Sequence, residues 1–485
     1  MTIGKSIGDK PALVLFRNDL RVADNGALSA AADSGRPVVA AFVLDDESDG
    51  VRPPGAASRW WLHHSLAVLA EKLYGLGTRL ILRRGAMRDV VDDLIADSGA
   101  DIVLWNRRYA PGGAAIDARM KQELRDRGLR AESFDGELLH EPSRLTTQAG
   151  SFYKVFTPFW NALADGPEPR DPIDAPRKLN GYAGKIASEQ IDALLPLPTT
   201  PDWAGGLREA WTPGEDGAQA RLEDFLSGDL DGYAEGRDFP GRSATSQLSP
   251  HLAHGEITPY QIFAALRGGM NAAASDVAKF RKEVGWREFC HHLLFHNPTL
   301  HEANFQPGFD AFPWQADQDA LRAWQRGQTG YPIVDAGMRE LWQTGTMHNR
   351  VRMIVASFLT KHLLIDWREG ERWFWDTLVD ADPASNPGNW QWVAGSGADA
   401  APYFRIFNPV LQGEKFDGQG RYVRRWVPEL EALPGKVLHK PWEASATVLE
   451  KAGVTPGKTY PHPIVDHSKA RQRALAAYRQ MRGEA

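Results

Sequence analysis

The hydrophobic pattern of this chain changes character once, and that change limits the fold more than any other feature. Over residues 10–138, short apolar runs alternate with helix-length segments. Leu13-Val14-Leu15-Phe16 reads as a buried strand, Asn25 to Ser34 as a helix, Val38 to Leu44 as a strand and Ser58 to Gly75 as a helix. Arg79 to Leu82, Ile102 to Trp105 and Leu129 to Phe134 read as further strands. Continuous apolar strands are buried on both faces, so the pattern predicts a doubly wound α/β domain with a five-stranded parallel sheet. Ligands of such sheets sit beyond the carboxyl ends of the strands. No Gly-x-Gly-x-x-Gly follows the first strand, so a dinucleotide fingerprint is absent.

Residues 139–216 have a different texture. Eight prolines fall between Asn161 and Pro213, with little periodicity, and the segment reads as a linker over the surface. From about Gly217 the pattern is helical to the end, so residues 217–485 are expected to form an all-α domain. Helices are expected at Ala278 to His296, Met347 to Ile365 and Glu371 to Val379.

Composition narrows the function classes. A single cysteine, Cys290, excludes an internal disulfide and a cluster held by several cysteines. No apolar run reaches membrane-span length, and Met1 to Lys10 carry no apolar signal core, so a cytoplasmic protein is expected. A net charge of −6 argues against a uniformly basic nucleic-acid binder, but a local basic face is enough to hold phosphates. Arginines cluster at Arg350, Arg352, Arg421, Arg424 and Arg425, which ordinarily marks a solvated face. Of 17 tryptophans, 11 lie from Trp286 onward; core filling is the plain reading of any one of them.

Several motifs carry nothing. Gly453 to Thr459 is one residue short of a phosphate loop, with Ala452 where the first glycine belongs. His292 and His296 have zinc-like spacing but lack the accompanying glutamate, and His251 and His254 are no better, so no metal is expected.

Three groups of residues do point to chemistry. Asn349, Arg352, Met353 and Ala356 share one helical face, as do Glu283, Trp286, Arg287 and Cys290. Amide, carboxylate and guanidinium groups beside an indole suit a pocket that stacks a flat ring and hydrogen-bonds its edge. Asp380, Asp382 and Asn386 before Trp390-Gln391-Trp392 suggest the same.

The motifs Thr245-Ser246-Gln247-Leu248-Ser249, Trp286-Arg287-Glu288-Phe289, Met347-His348-Asn349-Arg350, Asp366 to Arg372, Asn389-Trp390-Gln391-Trp392 and Ala401 to Pro409 resemble signatures of the photolyase/cryptochrome family. The likeness runs from Ala12 to about Trp442 and is strongest after Tyr233. It implies an α/β antenna domain, a linker and a helical FAD domain. It further implies light-driven splitting of cyclobutane pyrimidine dimers by reduced FAD, with a cryptochrome-type blue-light receptor as the alternative.

The resemblance implies roles residue by residue. Thr245, Ser246, Gln247, Leu248 and Ser249 would hold the FAD phosphates, with Tyr233 and Arg287 at the same end. Asp380 and Asp382 would take the ribose and flavin edge, Arg352 would pair with Asp382, and Asn386 would sit at the flavin N5. Trp286 and Trp392 would pack the flipped dimer, Glu283 and Asn349 would meet its edges, and Met353 would complete the wall. Arg237, Arg350, Arg405 and Gln412 would contact the DNA backbone. Trp390, Trp367 and Trp314 match the electron-carrying tryptophan chain, with Trp342 and Trp373 as a side branch.

Asn349 and Met353 stand where (6-4) relatives carry a histidine pair, which favours cyclobutane dimers and a class I or class III photolyase. Gly112-Gly113 replaces the Asn-Glu pair of folate-binding class I members. The expected antenna is methenyltetrahydrofolate held differently, with a deazaflavin or flavin as alternatives. UV-damaged DNA is the expected partner, and a monomer near the nucleoid the expected state.

Overall fold

Alternation within the strands decides the first layer of structure. In the computed structural model, which describes residues 10–268, 272–400 and 405–484, β1 (Ala12–Phe16) turns Ala12, Val14 and Phe16 to one face and Leu13 and Leu15 to the other. β2 (Val38–Leu44), β3 (Leu80–Arg84), β4 (Ile102–Asn106) and β5 (Arg130–Phe134) join it in one parallel sheet, ordered β3-β2-β1-β4-β5. The Gly26–Asp33 and Ala56–Leu76 helices cover the first face, and the Met87–Ser98 and Pro111–Asp126 helices the second. The doubly wound sheet expected from the apolar runs is therefore present, with its strands within two residues of their sequence positions.

The proline-rich segment has more structure than its periodicity suggests. It lies along the exposed edge of the sheet: Leu82 N donates to Ser188 Oγ at 2.9 Å and Glu189 N to Leu82 O at 2.9 Å. An unpaired parallel edge invites association, and this contact covers it. The segment also forms a helix, Phe156–Ala164, that is too short to signal itself in sequence. Tertiary packing stabilises it. Phe156 stacks on Trp286 with ring centroids 3.6 Å apart, and Trp160 approaches the backbone of Gly285 so closely that a Cβ there would lie 2.3 Å from the indole.

The rest of the chain is helical. Ala274–His296 runs longer than expected at its start. The expected Met347–Ile365 helix begins at Asn349, because the His348 side chain accepts a hydrogen bond from Arg350 N and caps it. The expected Glu371–Val379 helix spans Trp367–Thr377, capped by Asp366 in the same way.

Asp24 ties the sheet, the linker and the helical region together. It is fully buried, with a left-handed φ of 49° that Asp tolerates better than most side chains. Its carboxylate accepts from Arg170 Nη1 at 2.6 Å, Ile173 N at 3.0 Å and Thr258 Oγ1 at 2.6 Å. Asp24→Ala leaves these donors orphaned and strains the backbone; a loss of roughly 3 kcal/mol is expected, read as a lower unfolding midpoint. Asp24→Asn should lose clearly less. Equal losses would show that the carboxylate does not carry the junction.

Candidate cofactor and substrate site

A cavity of about 710 Å³ opens among the helices. Cofactor pockets span roughly 300–1,000 Å³. All four members of each predicted helical face line it: Glu283, Trp286, Arg287 and Cys290 from Ala274–His296, and Asn349, Arg352, Met353 and Ala356 from Asn349–Ser357. The 3.6-residue repeat makes each set contiguous, and the packing of the helices turns both sets toward one space. Tyr233, Thr245, Ser246, Gln247, Leu248, Ser249, Asp380, Asp382, Asn386, Trp390 and Trp392 complete most of the wall. Gln391 points away: its side chain bonds to the backbone at Leu300, Ala303 and Phe305.

The two aspartates differ from the sequence expectation in their partners. Arg352 pairs with Asp380, Nη2 to Oδ2 at 2.9 Å, and not with Asp382. Ser249 Oγ donates to the same Asp380 oxygen at 2.7 Å. Asp382 instead faces His291 at 3.1 Å and accepts from the backbone N–H groups of Ala384 and Ser385 at 2.9 and 2.6 Å. The reason is local: Asp382 stands just before the Ser385–Ala394 helix, and its carboxylate folds back onto the Ala384 and Ser385 N–H groups where that helix starts. Burial alone would raise its pKa. His291, then Arg287 and the Ser385 N–H, outweigh burial and hold the carboxyl well below the usual carboxylate range.

Asn386 donates both protons of its amide to Glu371, to Oε1 at 2.8 Å and to the main-chain carbonyl at 3.1 Å. Its carbonyl oxygen is therefore the end left for the cavity. Cys290 lies in the wall with its thiol pushed up to about 12, mainly by burial and then by Asp382, so it is a protonated apolar surface.

The residues expected to meet DNA separate into two sets. Glu283, Trp286, Asn349, Met353 and Trp392 line the cavity together with Arg237. Arg237 pairs with Glu283, and Lys279 Nζ lies 2.8 Å from the same carboxylate oxygen. Arg237 is thus engaged with Glu283. Arg350, Arg405 and Gln412 lie outside the lining. Arg350 is tied to Asp238 at 2.7 Å, while Arg405 is exposed beside Phe407. Residues 401–404 of the family signature lie outside the described residues.

Sequence reasoning missed several wall residues. Arg421 and Arg425, read as a solvated cluster, line the cavity, whereas Arg424 turns back onto the carbonyls of Gln419, Glu431 and Leu433. Ser385 and Asn389 also face it. Helical spacing from Asp382 to Trp390 could have found them: Ser385, Asn386, Asn389 and Trp390 follow a 3–4 rhythm.

Trp390 lies in the wall and is buried, Trp367 is fully buried with its indole N–H on Asn304 Oδ1 at 2.9 Å, and Trp314 is partly exposed. All three belong to one packed cluster. Trp342 and Trp373 stack in parallel with centroids 6.0 Å apart, and Trp342 is exposed. At the carboxyl end of the sheet, Arg17, Asp19, Asn106 and Asp117 form a buried network, and the remaining void is about 10 Å³. Gly112 lies against the backbone of Gly50, where a Cβ would come within 1.9 Å of the carbonyl oxygen.

Comparison with known proteins gives these groups a context. Residues 12–177 match the family description "DNA photolyase", and residues 280–480 match "FAD binding domain of DNA photolyase". A deoxyribodipyrimidine photo-lyase of Agrobacterium fabrum is 59% identical over 474 residues, covering 98% of both chains. Cryptochrome-1 of Arabidopsis thaliana is 39% identical over 97% of this chain and 70% of its own length. Among solved structures, a bacterial class III photolyase from Agrobacterium tumefaciens superposes with a TM-score of 0.96, at 58% identity and full coverage of both chains. A Synechocystis cryptochrome superposes at 0.88, with 31% identity over 97% of this chain and 99% of its own.

His348 makes the site region acid-sensitive. Burial first, and Arg237 next, lower its imidazole to about 4, so it caps its helix as a neutral acceptor. Its folded pKa lies below the unfolded value of about 6.5, so its contribution is complete above that value. It is lost as the pH falls from about 6.5 toward 4, where the unfolded chain takes the proton first. His292 and His362, each lowered to about 3 chiefly by burial, act in the same window and direction. The unfolding midpoint should drop across that window, and His348→Asn should remove part of the slope, roughly 2–4 kcal/mol over the whole range. An unchanged slope in the variant would refute the assignment.

Proposed function

The chain belongs to the photolyase/cryptochrome family, and we propose that it works as a deoxyribodipyrimidine photolyase on cyclobutane pyrimidine dimers in DNA. The observation that carries this reading is that the residue types a flavin and a flipped dimer need converge on one cavity from five separate stretches of chain. When bound, reduced FAD supplies under blue light the electron that splits the dimer and then recovers it. The chain's own residues bind, orient and exclude water.

The hydroxyl-rich segment from Thr245 to Ser249, with Tyr233, Arg421 and Arg425 in the same wall, suits the phosphates. Arg352 and Arg287 place positive charge at the wall and favour an anionic reduced ring over a neutral one. Asp380 and Asp382, each held in place by its partners, suit sugar hydroxyls and ring N–H groups, which donate. Asn386 offers an acceptor and no acid, so it stabilises a ring N–H without delivering a proton.

On the substrate side, Glu283 is held by Arg237 and Lys279, and it can accept from thymine N–H edges while Asn349 both donates and accepts. Trp286, fixed by its stack on Phe156, and Trp392 present flat faces. A stiff, poorly stacked dimer is cheaper to extrude from the duplex than a normal base, which favours the lesion. Arg350, Arg405 and Gln412, outside the cavity, are our candidates for the DNA backbone. Trp390, Trp367 and Trp314 are our candidates for the path of photoreduction, running from the wall to the partly exposed Trp314.

We assign the chain to class III, on its likeness to the Agrobacterium tumefaciens structure. We divide it into an antenna domain at 10–138, a linker at 139–216 and an FAD- and DNA-binding domain at 217–485. For the antenna we favour methenyltetrahydrofolate over a flavin or deazaflavin. The void at the carboxyl end of the sheet is about one water in size, too small for a tricyclic ring. Side chains larger than glycine do not fit at 112 either, so a folate would lie elsewhere than in the class I pattern. We take the protein to act as a monomer on chromosomal DNA in the cytoplasm; among the described residues no helix is long and apolar enough to cross a membrane.

Two tests follow from these roles. The purified, reduced protein should restore thymines in a dimer-bearing oligonucleotide under blue light and not in the dark. Glu283→Ala should lower that rate at least roughly tenfold with flavin absorbance unchanged. Tight flavin binding without light-dependent repair would favour the blue-light receptor instead. Separately, a Cβ at Gly370 would lie 2.1 Å from the Trp390 ring. Gly370→Ala should therefore displace Trp390, slow photoreduction of bound flavin several-fold and cost about 1–3 kcal/mol of stability. Wild-type photoreduction in that variant would remove Trp390 from the path.

A further inference from the structure

Asn386 is held by a group that is itself held from the other domain. Glu371, on Trp367–Thr377, has only 2% of its side chain exposed. Its Oε1 accepts from Asn386 Nδ2 at 2.8 Å and from Arg52 Nη1 at 2.7 Å, and its Oε2 accepts from Arg52 Nη2 at 2.9 Å. Arg52 lies between β2 and the Ala56–Leu76 helix, 319 residues away in sequence. It meets Glu371 as a two-pronged fork, the geometry that most restricts a carboxylate. The fork is supported in turn. The Arg52 guanidinium lies 4.0 Å over the Trp375 ring, Trp375 Nε1 donates to Pro53 O at 2.9 Å, and Ala56 N donates to Asp376 Oδ1 at 2.9 Å.

Resting on the reading of the cavity as a flavin site, we propose that Arg52 is a positioning residue for the light-driven reaction: through Glu371 it dictates which end of the Asn386 amide faces the cofactor. The argument concerns donors and acceptors. A carboxylate only accepts, and the Glu371 main-chain oxygen also only accepts. Both Asn386 N–H groups are drawn to these oxygens, and the reverse rotamer would set oxygen against oxygen. The amide carbonyl must then face the cavity, where it would offer an acceptor to a bound reduced flavin and favour that state. Without Arg52 the two-pronged grip on the buried carboxylate is gone. The Glu371 carboxylate is then free to swing away from Asn386 Nδ2, which lets the amide turn round. It would then present N–H to the ring, favouring the oxidised cofactor.

The test compares wild type, Arg52→Ala and Arg52→Lys as full-length holoproteins. One readout is the rate at which air reoxidises fully reduced bound flavin. The other is the infrared carbonyl band of isotope-labelled asparagine, recorded before and after reduction. Arg52→Ala should keep its flavin, reoxidise roughly tenfold faster and lose the reduction-linked band shift. Arg52→Lys keeps the charge without the fork and should fall between the two; it carries the test if the alanine variant does not fold. Wild-type rate and band in either folded variant would overturn the inference while leaving the flavin site intact. Colourless wild type that takes up no added FAD would instead remove the site reading and this proposal with it.

Discussion

A cavity walled by carboxylates, amides and guanidiniums cannot be held open by apolar packing alone; each polar group must be tied from behind. Asp380 is tied by Arg352 and Ser249, Asp382 by His291 and two backbone N–H groups, and Glu283 by Arg237 and Lys279. Unpaired, any of these would cost several kcal/mol or change its protonation state. Paired, they are fixed in charge and direction before a ligand arrives. That preorganisation is what a flat, polar cofactor and a flipped dimer would both require.

Part of this support comes from the α/β domain. Arg287 donates to the carbonyl of Glu137 at 2.8 Å, Glu371 is gripped by Arg52, and Trp61 Nε1 donates to the buried Glu256 at 2.8 Å. The α/β domain thus also braces the wall of the cavity. The filled crevice at the end of its sheet is consistent with that structural duty, since Arg17 and Asn106 occupy the space that a ligand would take.

The helical faces were legible because a 3.6-residue repeat survives any tertiary arrangement. Asn349, Arg352, Met353 and Ala356 had to share a side, and all four reach the cavity. Partner choice was not legible. Arg352 can reach either aspartate by sequence spacing; His291 and the Ala384 and Ser385 N–H groups engage Asp382 and leave Asp380. That Arg237 pairs with Glu283 was not legible either. Arg421, Arg424 and Arg425 are alike in sequence, and only their rotation about a short helix separates wall from scaffold. The Phe156–Ala164 helix, nine residues long, gave little periodic signal and owes its existence to packing on Trp286 and Gly285.

By itself the sequence determined the sheet, the helical second half, the two chemical faces and the family. Those depend on local periodicity and on motifs of a few contiguous residues, which the chain carries wherever it folds. Only the tertiary structure decided which acid meets which base, how Asn386 is turned and how little room remains at the end of the sheet. Such pairings join residues up to 319 positions apart, as Arg52 and Glu371 are. They are settled by a competition among nearby charges for the same buried hydrogen bonds, which has no signature along the chain.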